Sequence, residues 1–325
     1  MYFNLVPKFK YHYSINDIFH AFLHYKKEED IGVLKEYFGA SNFYFTNYAR
    51  TSLTLLLNAI SNGKKLNVGI QPFTCHTVFE SINKAGCECV FLDINNQYTL
   101  DINYLKTSIK AIDILIVTHT FGIPANMDEI LEIAKDKFII EDCAHSLFSE
   151  YNGSPTGIFG DASIFSFGYG KYPSIGPGGF TIINNENLIP GFERIFNNLP
   201  TPSFFIEYKN IFKNFIYGFS FTKKIYGLFT YPIGKKLDKK FDFVGKSTQK
   251  KAKAYINNVN VLLKNFHKYK DRNEIQRYNG KYLTEQIKDF IKVIEENGNK
   301  FNYYIFPLLL KKRDYIVDIL YPIES

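Results

Sequence analysis

Apolar positions in the first 185 residues switch repeatedly between two spacings. In Thr51–Ile60 (TSLTLLLNAI) they recur at helical intervals and stop at Ser61-Asn62-Gly63, which reads as a helix C-cap. Leu66–Ile70 is a short strand-like run before Pro72-Phe73-Thr74. The pattern then predicts a helix over Val78–Ala85 closed by Gly86, a strand over Glu88–Leu92 and a helix over Tyr104–Ile109. Ile112–Val117 (IDILIV) has the unbroken apolar run of a strand buried on both faces. A helix follows over Met127–Ala134 with Asn126 as its N-cap, then a strand over Phe138–Ile140 that runs into Glu141-Asp142. Ser163–Phe167 and Phe180–Ile183 are the last strands of the series. This alternation predicts an α/β fold, a mostly parallel sheet with helices on both faces. Ligands on such sheets gather at the carboxyl ends of the strands. Thr74, His119, Asp142 and Ser166 fall there.

The texture changes after residue 186. Pro190, Pro200 and Pro202 mark a linker, and 204–231 is dense in aromatics. A long polar-faced helix is expected over 250–282, a strand over 303–310 and a helix over 313–320. The chain therefore divides into a large domain at 1–189 and a shorter, mostly helical part at 190–325. That second part joins the aromatic, basic segment to a truncated small C-terminal domain.

Composition narrows the class. With 325 residues, 46% hydrophobic and 22% charged, the chain is neither disordered, collagenous nor a coiled coil. The 32 Phe and 24 Tyr without a Trp fit a codon bias more simply than a function. Lysines outnumber acids eight to two between 204 and 240, a surplus of six that nearly accounts for the net charge of +7. Cys75, Cys87, Cys89 and Cys143 have no disulfide-like spacing, and no set of Cys and His has metal-ligand spacing. Free thiols in a reducing cytoplasm are expected, with no metal. The N-terminus has no signal-peptide core, and no run of apolar residues is long enough to span a bilayer as one helix.

Candidate chemistry centres on Ser166-Phe-Gly-Tyr-Gly-Lys171, followed by Gly176-Pro-Gly178-Gly179. A lysine on a glycine-rich turn after a buried strand, shielded from water, can lose its proton and act as a nucleophilic amine. Schiff-base formation with pyridoxal 5'-phosphate (PLP) needs such an amine. Asp142, directly after an apolar strand, is placed to keep a pyridine nitrogen protonated. Ala49-Arg50-Thr51-Ser52 opens the first helix of the series, whose amides and dipole suit a phosphate; Ser166 adds a hydroxyl. By themselves Thr51 and Ser52 have simple capping as the alternative reading, and Arg50 reads equally as a phosphate ligand or a structural ion pair. His119 reads as a satisfied structural histidine, Cys143 as core packing and Asp161 as a tie between a hairpin and a loop.

These segments resemble the nucleotide-sugar aminotransferases of the DegT/DnrJ/StrS type, fold-type I PLP enzymes. Seven pieces match in order: Ala49–Leu53, Pro72–Cys75, Gly86–Asp93, His119–Asp128, Glu141–His145, Gly153–Asp161 and Phe165–Gly179. They cover roughly 45–185, with weaker likeness at 272–282 and 303–313. The resemblance implies that Lys171 bonds to the cofactor and shuttles a proton, and that Asp142 faces the pyridine nitrogen. His145 would lie by the cofactor's ring or phenolic oxygen, and Thr51, Ser52 and Ser166 would bind its phosphate with Arg50. Cys75 stands where many members place an aromatic ring that stacks on the cofactor. The substrates implied are a keto-sugar on a nucleotide carrier and an amino donor, glutamate or glutamine, used by a homodimer in polysaccharide, glycan or amino-sugar synthesis.

The sequence departs from the pattern at Ala49-Arg50-Thr51, where the family carries Ser-Gly-Thr, and at Tyr169, which is placed near the substrate. It also stops several tens of residues before the family's usual end. Two other readings follow: a PLP enzyme of another class, such as a sugar dehydratase, or a degenerate member that only binds. Dehydration goes with a histidine in place of the lysine, whereas Lys171 is retained. The 204–240 segment reads as a dimer face, a cap with solvated lysines, or a weak membrane-surface contact that makes the protein peripheral. Nucleic acid is not expected, since the lysines are confined to one segment and no binding motif is present.

Overall fold

The computed structural model describes residues 7, 10–23, 30–238, 250–287, 295, 298–308 and 314. Its seven-stranded mixed sheet contains β1 (Phe43–Thr46), β2 (Asn67–Ile70), β3 (Glu88–Phe91), β4 (Ile114–Thr118), β5 (Phe138–Asp142), β8 (Ala162–Ser166) and β9 (Gly179–Ile183). A small hairpin, β6 (Glu150–Tyr151) with β7 (Ser154–Pro155), stands apart from it. The order across the sheet is β1-β9-β8-β5-β4-β2-β3. β3, β2, β4, β5 and β8 run parallel, and β9 and β1 are antiparallel to their neighbours.

Helices precede and separate the strands: α1 (Ile15–Leu23), α2 (Gly32–Phe38), α3 (Ala49–Ser61), α4 (His76–Lys84), α5 (Ile102–Ser108) and α6 (Met127–Ile133). Strand alternation sorts β4 between two layers. Ile114 and Ile116 pack with Leu53, Leu56 and Val78 of α3 and α4, whereas Leu115 and Val117 pack with Leu105 and Ile130 of α5 and α6. That two-sided burial is why IDILIV is apolar throughout. α3 ends as its sequence predicts: Asn62 takes a left-handed φ of 45° and its N–H bonds to Asn58 O.

β1 was not predicted. Its FYF run is short and half-exposed, and it is a strand because it pairs with β9, 136 residues on, from Phe43↔Ile182 to Thr46↔Gly179. At Gly179 the backbones meet closely. A Cβ there would sit 2.4 Å from Phe165 O and 2.8 Å from Ala49 N, so glycine is what lets α3 begin against this strand.

Past the sheet the chain is helical: α7 (Ile189–Phe196), α8 (Phe204–Ser220), α9 (Lys223–Ile225), a π-turn (Tyr226–Thr230), α10 (Tyr231–Asp238), α11 (Ile256–Lys264) and α12 (Phe266–Gln286). Three sequence expectations are corrected. Pro190 does not mark a linker; it sits in the first turn of α7, where its missing N–H costs nothing. The single helix expected over 250–282 is two, starting at Ile256 and interrupted at Asn265, whose φ of −103° and ψ of 10° are not helical. Residues 303–308 are irregular rather than a strand. The rest of that expected strand, and the helix expected over 313–320 apart from 314, lie outside the described residues.

Candidate active site

Asp142 ends β5 and Ser166 ends β8, so both reach the carboxyl edge of the sheet. The glycine-rich turn after β8 carries Lys171, whose N–H bonds to Gly168 O at 3.1 Å. Cys75 immediately precedes α4, and Ala49 opens α3. These pieces wall one cavity of about 250 Å³, lined by Asp142, Ser166, Lys171, Cys75 and Arg50, with Tyr48, Thr77, Ala144, Gly168 and Tyr169 among the others.

Burial and opposite charge act against each other here. Burial lowers the Lys171 pKa below the ordinary lysine value; Asp142, and then Cys75, pull it back up. Burial raises the Asp142 carboxyl, while the Ala144 N–H, Lys171 and His119 oppose the rise. Asp142 Oδ1 accepts from Ala144 N at 3.1 Å, and no described residue donates to Oδ2. Burial, and secondarily Lys171, push His145 down to about 3, so its ring is neutral near pH 7. That ring is outside the cavity wall, stacked on Phe121 at 6.5 Å and 9° and tilted against Tyr304.

The remaining expected residues divide. Ser166 lines the cavity, and its Oγ accepts from Gly168 N at 3.4 Å. Cys75 is exposed at the rim and its sulfur accepts from Thr77 Oγ1 at 3.2 Å. Arg50 stacks its guanidinium 4.5 Å from the Tyr48 ring centroid. Thr51 and Ser52 are not brought to the cavity; both are buried. Thr51 Oγ1 donates to Asn47 Oδ1 at 2.8 Å, and Ser52 Oγ is bonded to Thr46 Oγ1 at 2.8 Å. Inward-facing hydroxyls of a first helical turn stabilise the turn; its outward face here is Tyr48, Ala49 and Arg50.

A second cavity of about 600 Å³ shares Lys171 with the first. It is lined by Lys10, His12, Gly170, Tyr172, Arg272, Ile275, Gln276, Tyr304 and Ile305, with no acidic residue. Burial first, then Lys10 and Arg272, push His12 down to about 4. The Tyr304 hydroxyl donates to Gly170 O and so ties this wall to the lysine turn. Gly170 belongs to the lysine turn, and Arg272, Ile275, Gln276, Tyr304 and Ile305 fall in the stretches of weaker family likeness, but nothing in the sequence signals that they share a cavity with Lys10 and His12.

Behind the site His119, Glu141 and Cys143 offer ligand-type atoms within 4.8 Å of one another. The chemistry is structural. Glu141 accepts from His119 Nε2 at 2.9 Å and from the amides of Gly157, Phe159 and Gly160. Ala125 N donates to His119 Nδ1 at 3.0 Å, which places the ring proton on Nε2. Burial, and Glu141, hold the Cys143 thiol well above its ordinary pKa. Asp161 likewise ties elements together, taking Ile139 N at 2.8 Å and Asn185 Nδ2 at 2.7 Å.

A lysine and a buried carboxylate on one cavity, at the carboxyl edge of a parallel sheet, agree with what comparison with known proteins finds. The DegT/DnrJ/EryC1/StrS aminotransferase family model matches residues 25–199. The chain belongs to this family. GDP-perosamine synthase from Escherichia coli O157:H7 is 32% identical over 140 residues, 42% of this chain and 38% of that protein. UDP-4-amino-4,6-dideoxy-N-acetyl-beta-L-altrosamine transaminase from Campylobacter jejuni is 34% identical over 173 residues, 50% of this chain and 45% of that protein. These matches span less than half the length of either relative. The fold also matches the crystal structure of AtS13 from Actinomadura melliaura, with TM-score 0.73 and 17% identity over 97% of this chain and 82% of that one.

Proposed function

We propose that this family member is a PLP-dependent aminotransferase. It would move an amino group from glutamate or glutamine to a keto-sugar on a nucleotide carrier, in polysaccharide, glycan or amino-sugar synthesis. One observation carries the reading: Lys171 and Asp142 share a cavity whose burial depresses the lysine and leaves one carboxylate oxygen without a donor. A carboxylate oxygen on the cavity wall with no donor among the described residues suits the N–H of a pyridinium ring. The names of the two relatives supply the sugar-nucleotide class.

When bound, the cofactor supplies an aldehyde and an electron-withdrawing ring. Burial favours the neutral form of the Lys171 amine, which would take and return a proton at Nζ. Asp142 Oδ2 would hold the proton on the ring nitrogen. Ser166, Arg50 and the amides that open α3 would hold the phosphate. Cys75 would pack on the ring and His145 would lie at its edge. The acid-free second cavity, with Lys10, Lys171 and Arg272, suits the phosphates of the nucleotide or the carboxylates of the donor. The reading includes a homodimer acting in the cytoplasm, where its four free cysteines stay reduced. It takes 1–189 as the cofactor-binding domain and 190–325 as a second, mostly helical part.

The test is the visible absorption of purified protein with added PLP, before and after glutamate, beside Lys171→Ala. A band that requires Lys171 and fades with glutamate supports the reading. A band indifferent to glutamate and glutamine redirects it to another PLP reaction, such as dehydration. Absence of any Lys171-dependent band overturns it.

A further inference from the structure

α8 is built inside out. At 100° per residue, Phe205, Lys209, Phe212, Ile216 and Phe219 fall within an arc of roughly 80°. Every one of them is exposed, Phe205 by 82%, Phe212 by 61% and Phe219 by 59%. The opposite side, turned to the protein, carries Glu207, Asn210 and Asn214, all buried. These polar groups are satisfied by one another's neighbours. Glu207 accepts from Ile256 N at 2.8 Å and Asn257 Nδ2 at 2.7 Å; Asn210 and Asn214 both donate to Asn258 Oδ1. Tyr11 donates to Asn214 Oδ1 at 2.7 Å. The orientation of the helix is therefore fixed by buried hydrogen bonds, and its apolar side is left facing outward. Past the helix Leu228, Phe229 and Ile233 are exposed as well, by 40%, 57% and 56%.

With its polar side bonded to the protein, this helix leaves an apolar side in want of an apolar medium. Charge says which medium. Lys209, Lys213, Lys223 and Lys224 are exposed along the segment, and its one acid among 204–234, Glu207, is buried. A second copy seated on this face would bring more exposed lysines and, from 204–234, no exposed acid to pair with them. An anionic surface would meet each of them favourably, while the phenylalanines entered the acyl boundary. No helix among the described residues is long and apolar enough to cross a membrane, which leaves the segment in the plane of the interface.

We propose that α8 and the turn after it dock the protein on an anionic lipid bilayer, with Phe205, Phe212, Ile216 and Phe219 inserted and Lys209, Lys223 and Lys224 at the headgroups. Lys213 is set apart from this role, because its Nζ lies over the Tyr169 and Tyr217 rings at 5.1 and 5.4 Å. The proposal does not depend on the reaction catalysed.

Flotation of the full chain with vesicles tests it. Vesicles of phosphatidylcholine with about one-third phosphatidylglycerol should carry the protein up, and pure phosphatidylcholine should do so about tenfold less well. Phe212→Ser with Phe219→Ser should abolish flotation. Lys209→Glu with Lys223→Glu should weaken it about tenfold and reduce its sensitivity to salt. All four sites are exposed, and an unchanged circular-dichroism melt confirms that each variant is folded. Wild-type protein that stays unbound with anionic vesicles overturns the proposal, as does binding that the Phe variant retains. So does sedimentation showing that Phe212→Ser with Phe219→Ser turns a dimer into monomers, which would make the face a contact between copies.

Discussion

Asn302 donates its side-chain amide to the backbone carbonyl of His145 at 2.6 Å and of Leu147 at 3.1 Å, across more than 150 residues of chain. The same residue takes Tyr304 N on its Oδ1 and gives its own N–H to Ser149 Oγ. Asn302 is fully buried, so one side chain fastens the 300s to the turn that follows Asp142. Replacing it with Leu removes the donor and strands the buried carbonyl of Leu147 and the part-buried one of His145, each worth up to roughly 1–3 kcal/mol. The expected outcome for Asn302→Leu is a loss of roughly 2–4 kcal/mol in urea unfolding, with weakened PLP uptake. Unchanged stability would show that the 300s are not fastened in this way.

Two histidines make stability fall in mild acid. Burial lowers His12 from 6.5 to about 4 and His145 from 6.5 to about 3. The groups facing His12 are the Lys10 and Arg272 charges, the Tyr172 and Tyr269 rings and the Ser174 N–H, which donates to its Nδ1. Both folded pKa values lie below the unfolded one, so the unfolded chain takes up protons first. The stabilisation is whole above pH 6.5 and is lost as pH falls toward 4 and then 3. Between pH 6.5 and 5 each histidine should cost about 2 kcal/mol. Urea titrations at pH 7, 6 and 5 read the slope. His12→Gln, which keeps an acceptor for Ser174, should remove about half of it. A flat profile would refute the assignment.

Arg272 and Lys10 stand on the second cavity with no carboxylate in its wall. If that cavity holds the substrate's anionic oxygens, Arg272→Gln removes binding shared by ground and transition states. Steady-state kinetics should then show KM of the nucleotide-sugar or of glutamate raised about tenfold, with kcat within about twofold of wild type. Whichever substrate responds is the one whose anion reaches Arg272. A fall in kcat with both KM values unchanged would remove the cavity from substrate binding.

Much of the core was legible because its causes are local. A strand covered on both faces must be apolar at each position, as Ile114–Val117 are, and helix ends announce themselves at Asn62 and Asn126. That Lys171, Asp142, Ser166 and Arg50 meet at one cavity follows from the same logic, since loops after parallel strands must open at one edge, whereas Cys75 is placed there by the family resemblance. What sequence could not decide was the direction of a side chain when two partners compete. Thr51 and Ser52 read as phosphate ligands, yet Asn47 and Thr46 hold their hydroxyls inside. β1 exists only through its pairing with β9. The wall of Lys10, His12, Arg272 and Tyr304 joins segments more than 250 residues apart. The outward aromatic face of α8 also depends on distant residues, because Tyr11, Ile256, Asn257 and Asn258 decide which side of that helix is buried. Local pattern determines which elements form and which edge of the sheet is open. Only tertiary packing, by choosing among hydrogen-bond partners far apart in sequence, decides what each side chain faces.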